Sequence, residues 1–242
     1  MNRTFITVVI PAFNEEKRLA VTLGPMWRSL RRRFADFEMI VVDDGSTDGT
    51  AEVVRTFSIE HPNVRLISYP INRGKGYAVR QGVLASFGQF VLFSDADQST
   101  PMREVRKLLK ALEDCDIAIG SRAIRESLIA QYQPFYRVLM GKTFNKFVQL
   151  ITVPGIKDTQ CGFKCFRGDA ARELFSRCRI DGFSFDVEVL YLARRKGLRV
   201  EEVGVYWRNS PESKVHPVRH SLEMLRDLFC IRCNALLGGG QS

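Results

Sequence analysis

The sequence predicts an α/β fold with a mostly parallel central sheet flanked by helices, and three observations lead there. Short apolar runs alternate with longer helix-like stretches, the succession expected of βαβ units. Three of those runs end in polar groups, at Asn14-Glu15-Glu16, Asp43-Asp44 and Asp95-Ala96-Asp97, so the carboxyl ends of the strands converge on one ligand-binding edge. With 242 residues, 45% of them hydrophobic, the chain is long enough to bury a sizeable core as one domain, or as one domain with an appended segment.

Taken in order, Thr4 to Ile10 reads as a strand and Glu15 to about Phe34 as a helix, whose closing Arg31-Arg32-Arg33 suits the negative end of the helix dipole. Phe37 to Val42 is the next strand, a helix follows Asp44-Gly45-Ser46 to about Glu60, and Val64 to Ser68 is a strand again. Tyr77 to Phe87 is helical and Phe90 to Phe93 is the strand that leads into the paired acids. Thr100-Pro101 predicts a helix start, with the hydroxyl as N-cap and proline at the first position. Asp116 to Gly120 is a further strand, and Asp186 to Lys196 a helix that opens with acidic residues at its positive end.

The net charge of +9 implies an anionic partner: nucleic acid, a nucleotide diphosphate or an acidic membrane surface. No recognisable RNA or DNA module is present and the basic residues interleave with an acidic site, which argues against nucleic acid. Met1-Asn2-Arg3-Thr4 leads straight into a strand-like run, so no secretory signal is expected. The longest uncharged stretches, such as Phe147 to Ile156, are about half of what a transmembrane helix needs, so no membrane span is expected. The six cysteines are read as reduced; Cys161 with Cys165, and Cys230 with Cys233, have no second pair with histidines to complete a zinc site.

Asp95 and Asp97 are the most informative residues. Two carboxylates this close repel one another unless a cation sits between them, and on a strand residues i and i+2 project to the same side, where both can address one divalent ion or its water shell. Asn72-Arg73-Gly74-Lys75-Gly76 reads by itself as a turn before a helix that lets the backbone approach a ligand and brings a cation near a diphosphate. It has neither the G-x-G-x-x-G spacing of a dinucleotide site nor the Gly-Lys-Ser/Thr context of a P-loop.

Four motifs in order, Pro11-Ala12-Phe13-Asn14-Glu15-Glu16, Val41-Val42-Asp43-Asp44-Gly45-Ser46-Thr47-Asp48-Gly49-Thr50, Asn72-Arg73-Gly74-Lys75-Gly76 and Ser94-Asp95-Ala96-Asp97, resemble those of family 2 glycosyltransferases, which have the nucleotide-sugar-binding GT-A fold. Gly120-Ser121-Arg122, Asp158-Thr159-Gln160-Cys161-Gly162-Phe163-Lys164 and Gly182-Phe183-Ser184-Phe185-Asp186-Val187-Glu188 resemble the polyprenyl-phosphate sugar synthases within that family. The closing stretch, from Val205-Tyr206-Trp207 through Glu212-Ser213-Lys214-Val215 to Met224-Leu225-Arg226-Asp227-Leu228, is most similar to dolichyl-phosphate β-glucosyltransferases. No counterpart of the N-terminal membrane anchor usual in eukaryotic members is expected here.

The resemblance implies a donor site in which Pro11, Asn14 and Glu15 hold the nucleoside and Asp43 accepts a hydrogen bond from the base imide, with Asp44 the neighbouring candidate. Asp44-Gly45-Ser46 also has an ordinary reading as turn and helix cap. Lys75, Ala96 and Gln98 complete the donor side, and Asp95 and Asp97 would bind Mg²⁺ or Mn²⁺, which neutralises charge as the nucleoside diphosphate leaves. A lipid phosphate, with a second pKa of about 6, is largely dianionic at neutral pH and needs arginines more than a base. Arg122 is the first candidate to grip it, with Arg125 and Arg137 behind, each also readable as a solvated loop arginine. For a hydroxyl acceptor Asp186 or Glu188 would serve as base; otherwise they orient the arginines or lysines.

Residues 1–215 are expected to form the catalytic domain and 216–242 a C-terminal amphipathic helix with a disordered tail, Gly238 to Ser242. Ser127 to Ile151 interleaves Tyr132, Phe135, Tyr136, Phe144 and Phe147 with Arg137, Lys142 and Lys146, and Pro217 to Leu237 repeats the pattern with Arg219, Arg226 and Arg232. Such helices lie in a membrane interface, pack on a sheet, or, for the second, pack on a neighbouring subunit of a homo-oligomer. The expectation is a metal-dependent, inverting transfer of glucose from UDP-glucose to dolichyl or polyprenyl phosphate at the cytoplasmic membrane face. The alternatives are GDP-mannose as donor, a glycan hydroxyl as acceptor, or a non-enzymatic basic membrane or nucleic-acid-binding protein, which would tolerate Asp95→Ala and Asp97→Ala.

Overall fold

The computed structural model describes residues 6–131, 135–210 and 217–237. The mainly apolar run at the start forms strand β1 (Ile6–Ala12), whose successive side chains enter opposite layers of core. Val8 and Ile10 face helices α1 (Glu16–Arg31) and α2 (Thr50–Glu60), and Val9 faces α3 (Lys75–Leu84). Strands β2 (Phe37–Asp44), β3 (Val64–Tyr69) and β4 (Phe90–Ser94) join β1 in the parallel order β3-β2-β1-β4. Because the order reverses on either side of β1, a crevice opens between the carboxyl ends of β1 and β4, where open α/β sheets bind ligands.

The rest of the sheet departs from simple alternation. Strand β5 (Ile117–Ser121) does not lie beside β4: β7 (Phe163–Arg167) inserts between them, antiparallel to both, and β8 (Val200–Gly204) closes the edge parallel to β5. Between β4 and β5 run a 3₁₀ turn (Met102–Glu104) and α4 (Val105–Ala111); β6 (Leu128–Gln131) and α5 (Phe135–Ile151) follow β5. Helices α6 (Gly168–Arg177) and α7 (Phe185–Arg195) pack on the α3 side, and β6 pairs with β9 (Tyr206–Arg208) in a small second sheet. The final element is α8 (Pro217–Leu237).

Several boundaries differ from the sequence reading. β2 runs two residues further, because Asp43 and Asp44 still pair with Ser68 and Tyr69 of β3. α3 starts at Lys75, directly after Gly74 with φ 105°. α1 ends at Arg31, and Arg33 follows it to donate from Nη1 to the Ser29 carbonyl of the last turn. Pro101 is not the first residue of a helix but precedes the 3₁₀ turn with extended backbone (φ −65°, ψ 146°), and no side chain caps that turn. The proline ring fixes φ alone and permits either ψ.

The two amphipathic segments divide their faces. Val148 of α5 and Leu228 and Ile231 of α8 are buried in the core that also holds α7, and Arg232 of α8 donates to the Ile151 carbonyl at the end of α5. Phe147, Leu150 and Phe229 of the same helices face outward, Leu150 at 81% exposure. Tyr132, the side chains of Phe135, Tyr136, Arg137, Lys142 and Arg219, Glu212 to Val215 and the tail from Gly238 lie outside the described residues. Among the described residues no helix is long and apolar enough to cross a membrane.

Candidate functional site

The ends of β1 and β2 are clasped to each other. Asn14, in the left-handed region with φ 52°, donates its N–H to Ser46 Oγ at 2.8 Å and accepts the Thr47 N–H on Oδ1 at 2.8 Å. The Glu15 N–H donates to Thr50 Oγ1 at 2.8 Å while its carboxylate pairs with Arg18. Asp43, buried, accepts from the Ser46 N–H and the Ser68 hydroxyl. Pro11 sits on β1 in register with Val42. These groups therefore form one shelf at the strand ends, with Asp43 at its floor.

Asp44 faces the protein instead. Its oxygens accept the Arg73 and Gly74 N–H groups and the Asn72 side-chain amide, all at 2.8–2.9 Å, so this carboxylate folds the turn before α3. Gly45, with φ 70°, lets that turn approach, since a Cβ there would lie 2.5 Å from the Asn72 nitrogen. The glycines of the turn also make room for protein backbone. A Cβ on Gly74 would lie 2.5 Å from the Asp181 carbonyl and one on Gly76 2.5 Å from that of Ile180, so both admit the loop between α6 and α7. Lys75 is left at the start of α3 with its ammonium 2.7 Å from Asp95 Oδ1. Burial works against that ammonium, but the carboxylates of Asp95, Asp186 and Asp97 together outweigh it and raise the lysine above its ordinary value.

Asp95 and Asp97 do not project from a strand, as the i, i+2 argument supposed. β4 ends at Ser94, and the two acids occupy a turn in which the Gln98 N–H points to the Asp95 carbonyl at 3.4 Å and Gln98 has φ 51°. Asp97 accepts the Ser99 N–H and hydroxyl, each at 2.8 Å, and opens into a pocket also lined by Gln131, Arg208 and Asn209. Asp95 rests against the residue that leads into β7: its N–H donates to the Gly162 carbonyl at 3.1 Å, and a Cβ on Gly162 would fall 1.9 Å from Asp95 Oδ2. Ala96 is buried with its carbonyl on the Thr22 hydroxyl, and the Gln98 amide donates to the Thr22 carbonyl, so Gln98 is turned toward α1 rather than toward the acids.

On the far side of the turn, Arg122 is fixed by Asp158. Arg122 Nε and Nη2 take the two carboxylate oxygens at 2.7 and 2.8 Å, and its backbone N–H adds a third bond at 2.8 Å. Two of five guanidinium N–H bonds are thus used, which leaves the others for an anion. Arg125 is exposed and Arg137 lies outside the described side chains. Burial alone would raise the Asp158 carboxyl, but Arg122 holds it below its ordinary 3.8. A carboxyl depressed in the folded state contributes stability above its unfolded pKa and loses it as pH falls through the folded value. Asp158→Asn is therefore expected to flatten the acid side of a melting-temperature profile below about pH 4. Parallel wild-type and variant profiles there would remove the coupling.

The two acids of α7 have separate duties. Glu188 accepts the Arg179 and Ile180 N–H groups at 2.8–3.0 Å and so ties down the loop that reaches Gly74 and Gly76. Asp186 is buried against Lys164, 2.5 Å from its Nζ, and Lys164 is wholly shielded from solvent. Burial pushes the Asp186 carboxyl up, with Lys164 opposing. Neither carboxylate is a free base facing the crevice. Sequence reasoning gave no role to Lys164, Asp158, Gly162 or Ser99; the signal available was a lysine inside an otherwise apolar strand, Phe163-Lys164-Cys165-Phe166.

An open sheet of this strand order, with a polar shelf at the ends of β1 and β2, an acidic turn after β4 and a lysine at a helix start, has the nucleotide-sugar transferase, or GT-A, class of fold. Residues 7–175 match Glycosyl transferase family 2, and the chain belongs to that family: it is a glycosyltransferase. Over 98% of its length it is 37% identical to dolichyl-phosphate beta-glucosyltransferase of Dictyostelium discoideum, 77% of which is covered. The Homo sapiens protein of that name is 38% identical over 96% of this chain and 76% of its own. Among solved structures, glucosyl-3-phosphoglycerate synthase of Mycobacterium tuberculosis in complex with UDP superposes with a TM-score of 0.67 at 22% identity, covering 95% of this chain and 79% of that one. The same synthase with Mn²⁺, UDP-glucose and glycerol 3-phosphate gives 0.67 at 20% identity, over 96% and 79%.

Proposed function

We propose that this chain transfers glucose from UDP-glucose to the phosphate of dolichol or a related polyprenol, with inversion to a β-linked lipid phosphosugar, at the cytoplasmic face of a membrane. The observation that carries this reading is the state of the two acids on α7. Asp186 is locked to Lys164 and Glu188 to backbone N–H groups, while the Arg122 fork keeps open donors. That combination suits a nucleophile that arrives already ionised and needs holding more than deprotonation. The names of the relatives, at 37–38% identity, support the same donor sugar and acceptor.

The residues fit a divalent cation. Asp95 and Asp97 offer hard oxygen ligands and, among the described residues, no group of three or more His, Cys, Asp or Glu is placed to hold one. An ion held by two carboxylates takes its other ligands from diphosphate oxygens and water, the usual arrangement for Mg²⁺ or Mn²⁺ with a nucleotide. Bound there, it supplies Lewis acidity to the leaving diphosphate. Lys75, beside Asp95, adds positive charge to the same end of the donor. The shelf of Asn14, Glu15 and Asp43 is assigned to the nucleoside, and Arg122 orients the acceptor phosphate for attack from the opposite side. The outward apolar residues Phe147, Leu150 and Phe229, with Lys146 and Arg226 nearby on the same helices, are assigned to the membrane interface.

The test is transfer of radiolabel from UDP-glucose, GDP-mannose and UDP-N-acetylglucosamine to a short polyprenyl phosphate in detergent, with and without chelator. Lipid label is expected from UDP-glucose alone and to vanish with chelator. Label from GDP-mannose would replace the donor. Asp186→Asn is expected to keep kcat within about tenfold, whereas loss of a general base costs about 10²- to 10⁴-fold. A loss of the larger size would move the acceptor to a hydroxyl.

A further inference from the structure

We infer that Lys164 and Asp186 are positioning residues that set the metal-side carboxylate Asp95 through the inserted strand β7, an inference that rests on the metal reading above. Lys164 is fully buried, and its ammonium has two polar partners, Asp186 Oδ1 and the Cys161 carbonyl, each at 2.5 Å. A buried ion pair is a poor device for stability, since apolar side chains of similar volume do as well or better. Its placement is more telling than its strength.

The Cys161 carbonyl held by Lys164 begins the Cys161-Gly162 step, and Gly162 is the residue on which Asp95 rests by both backbone and side chain. In the β4–β7 ladder Lys164 is directly opposite Phe93, two residues before Asp95. Asp186 acts from the other side. Its charge reaches Lys75, whose ammonium touches Asp95, so the four groups alternate in sign as Lys164, Asp186, Lys75, Asp95. Both ammoniums also lie over the Phe93 ring, at 5.6 Å for Lys164 and 5.3 Å for Lys75. Asp95 is thereby fixed by the Gly162 backbone on one flank and by Lys75 on the other, and the Lys164–Asp186 pair sets both.

The experiment compares wild type, the charge-free double variant Lys164→Met with Asp186→Leu, and Asp186→Asn, in Mn²⁺ binding by electron paramagnetic resonance with UDP present, and in the KM for donor and for acceptor. Circular dichroism and melting establish the fold. The double variant is expected to fold, to bind Mn²⁺ with UDP at least about tenfold more weakly, and to raise the KM for UDP-glucose with that for the lipid phosphate unchanged. Asp186→Asn, which keeps the volume and an acceptor for Lys164, is expected to show a smaller loss in the same direction, and it decides the matter should the double variant fail to fold. Folded variants with wild-type Mn²⁺ affinity, or equal rises in both KM values, overturn the inference. A wild-type protein that binds no Mn²⁺ with UDP overturns instead the metal reading on which it stands.

Discussion

Asp97→Ala is expected to lower glucosyl transfer by about a thousandfold while leaving the protein folded. The carboxylate spends its hydrogen bonds on one neighbour, Ser99, in a half-exposed turn, so its removal loses two local bonds worth about 1 kcal/mol each. For a chain of this size that lowers the melting temperature by only about 4–8 °C. The reaction is affected far more. A bound cation contributes several kcal/mol of charge stabilisation to the leaving diphosphate, and about 4 kcal/mol corresponds to a factor of roughly a thousand. Asp95→Ala is a less clean experiment, because it also strips Lys75 of its partner and Gly162 of its contact. Turnover of Asp97→Ala within tenfold of wild type, measured at saturating Mn²⁺, would take Asp97 out of the proposed metal site.

Arg122→Ala is expected to do two things that a second substitution separates. It leaves Asp158, 7% exposed, as a buried carboxylate without its cation, a change that costs about 3–5 kcal/mol. It also removes the fork that would meet the acceptor phosphate, where charge-assisted hydrogen bonds of about 1.5–3 kcal/mol predict a rise in the lipid KM of order tenfold to a hundredfold. The double variant Arg122→Ala with Asp158→Ala should recover most of the lost melting temperature and none of the lost acceptor affinity. Arg122→Lys retains charge but cannot span both Asp158 oxygens and a phosphate, so it should fall between. Recovery of acceptor affinity in the double variant would make Arg122 a structural residue only.

The parts of the fold that were legible in the sequence are those where local pattern and tertiary role coincide. β1 to β4 and the helices between them each carry a mainly apolar run or a helical stripe, and the ligand edge follows from their parallel order. β7 was not read, because its five residues include a lysine and an arginine, and it takes the Asp186 carboxylate, twenty-two positions on, together with the Cys161 carbonyl to make Lys164 tolerable in the core. The same limit applies to the site. Strand-end motifs singled out Asp43, Asp95 and Lys75 as candidates, whereas the inward turn of Asp44 and Gln98 is decided by residues 72–74 and by Thr22. Arg122 was a candidate from its place after a strand end, but the carboxylate that orients it lies thirty-six positions away.

The insertion of β7 also governs the order in which the protein can be assembled on the ribosome. The half-sheet β3-β2-β1-β4 is complete once Ser94 has been made, yet β4 then ends the sheet as an unpaired, wholly apolar edge of Val91, Leu92 and Phe93. Its partner, Phe163–Arg167, is translated roughly seventy residues later, which at about 5–20 residues per second leaves that edge open for about 4–14 s. An open edge of this kind is a template for pairing with another chain. The nascent protein is thus most prone to aggregate in the interval when the half-sheet exists and β7 does not.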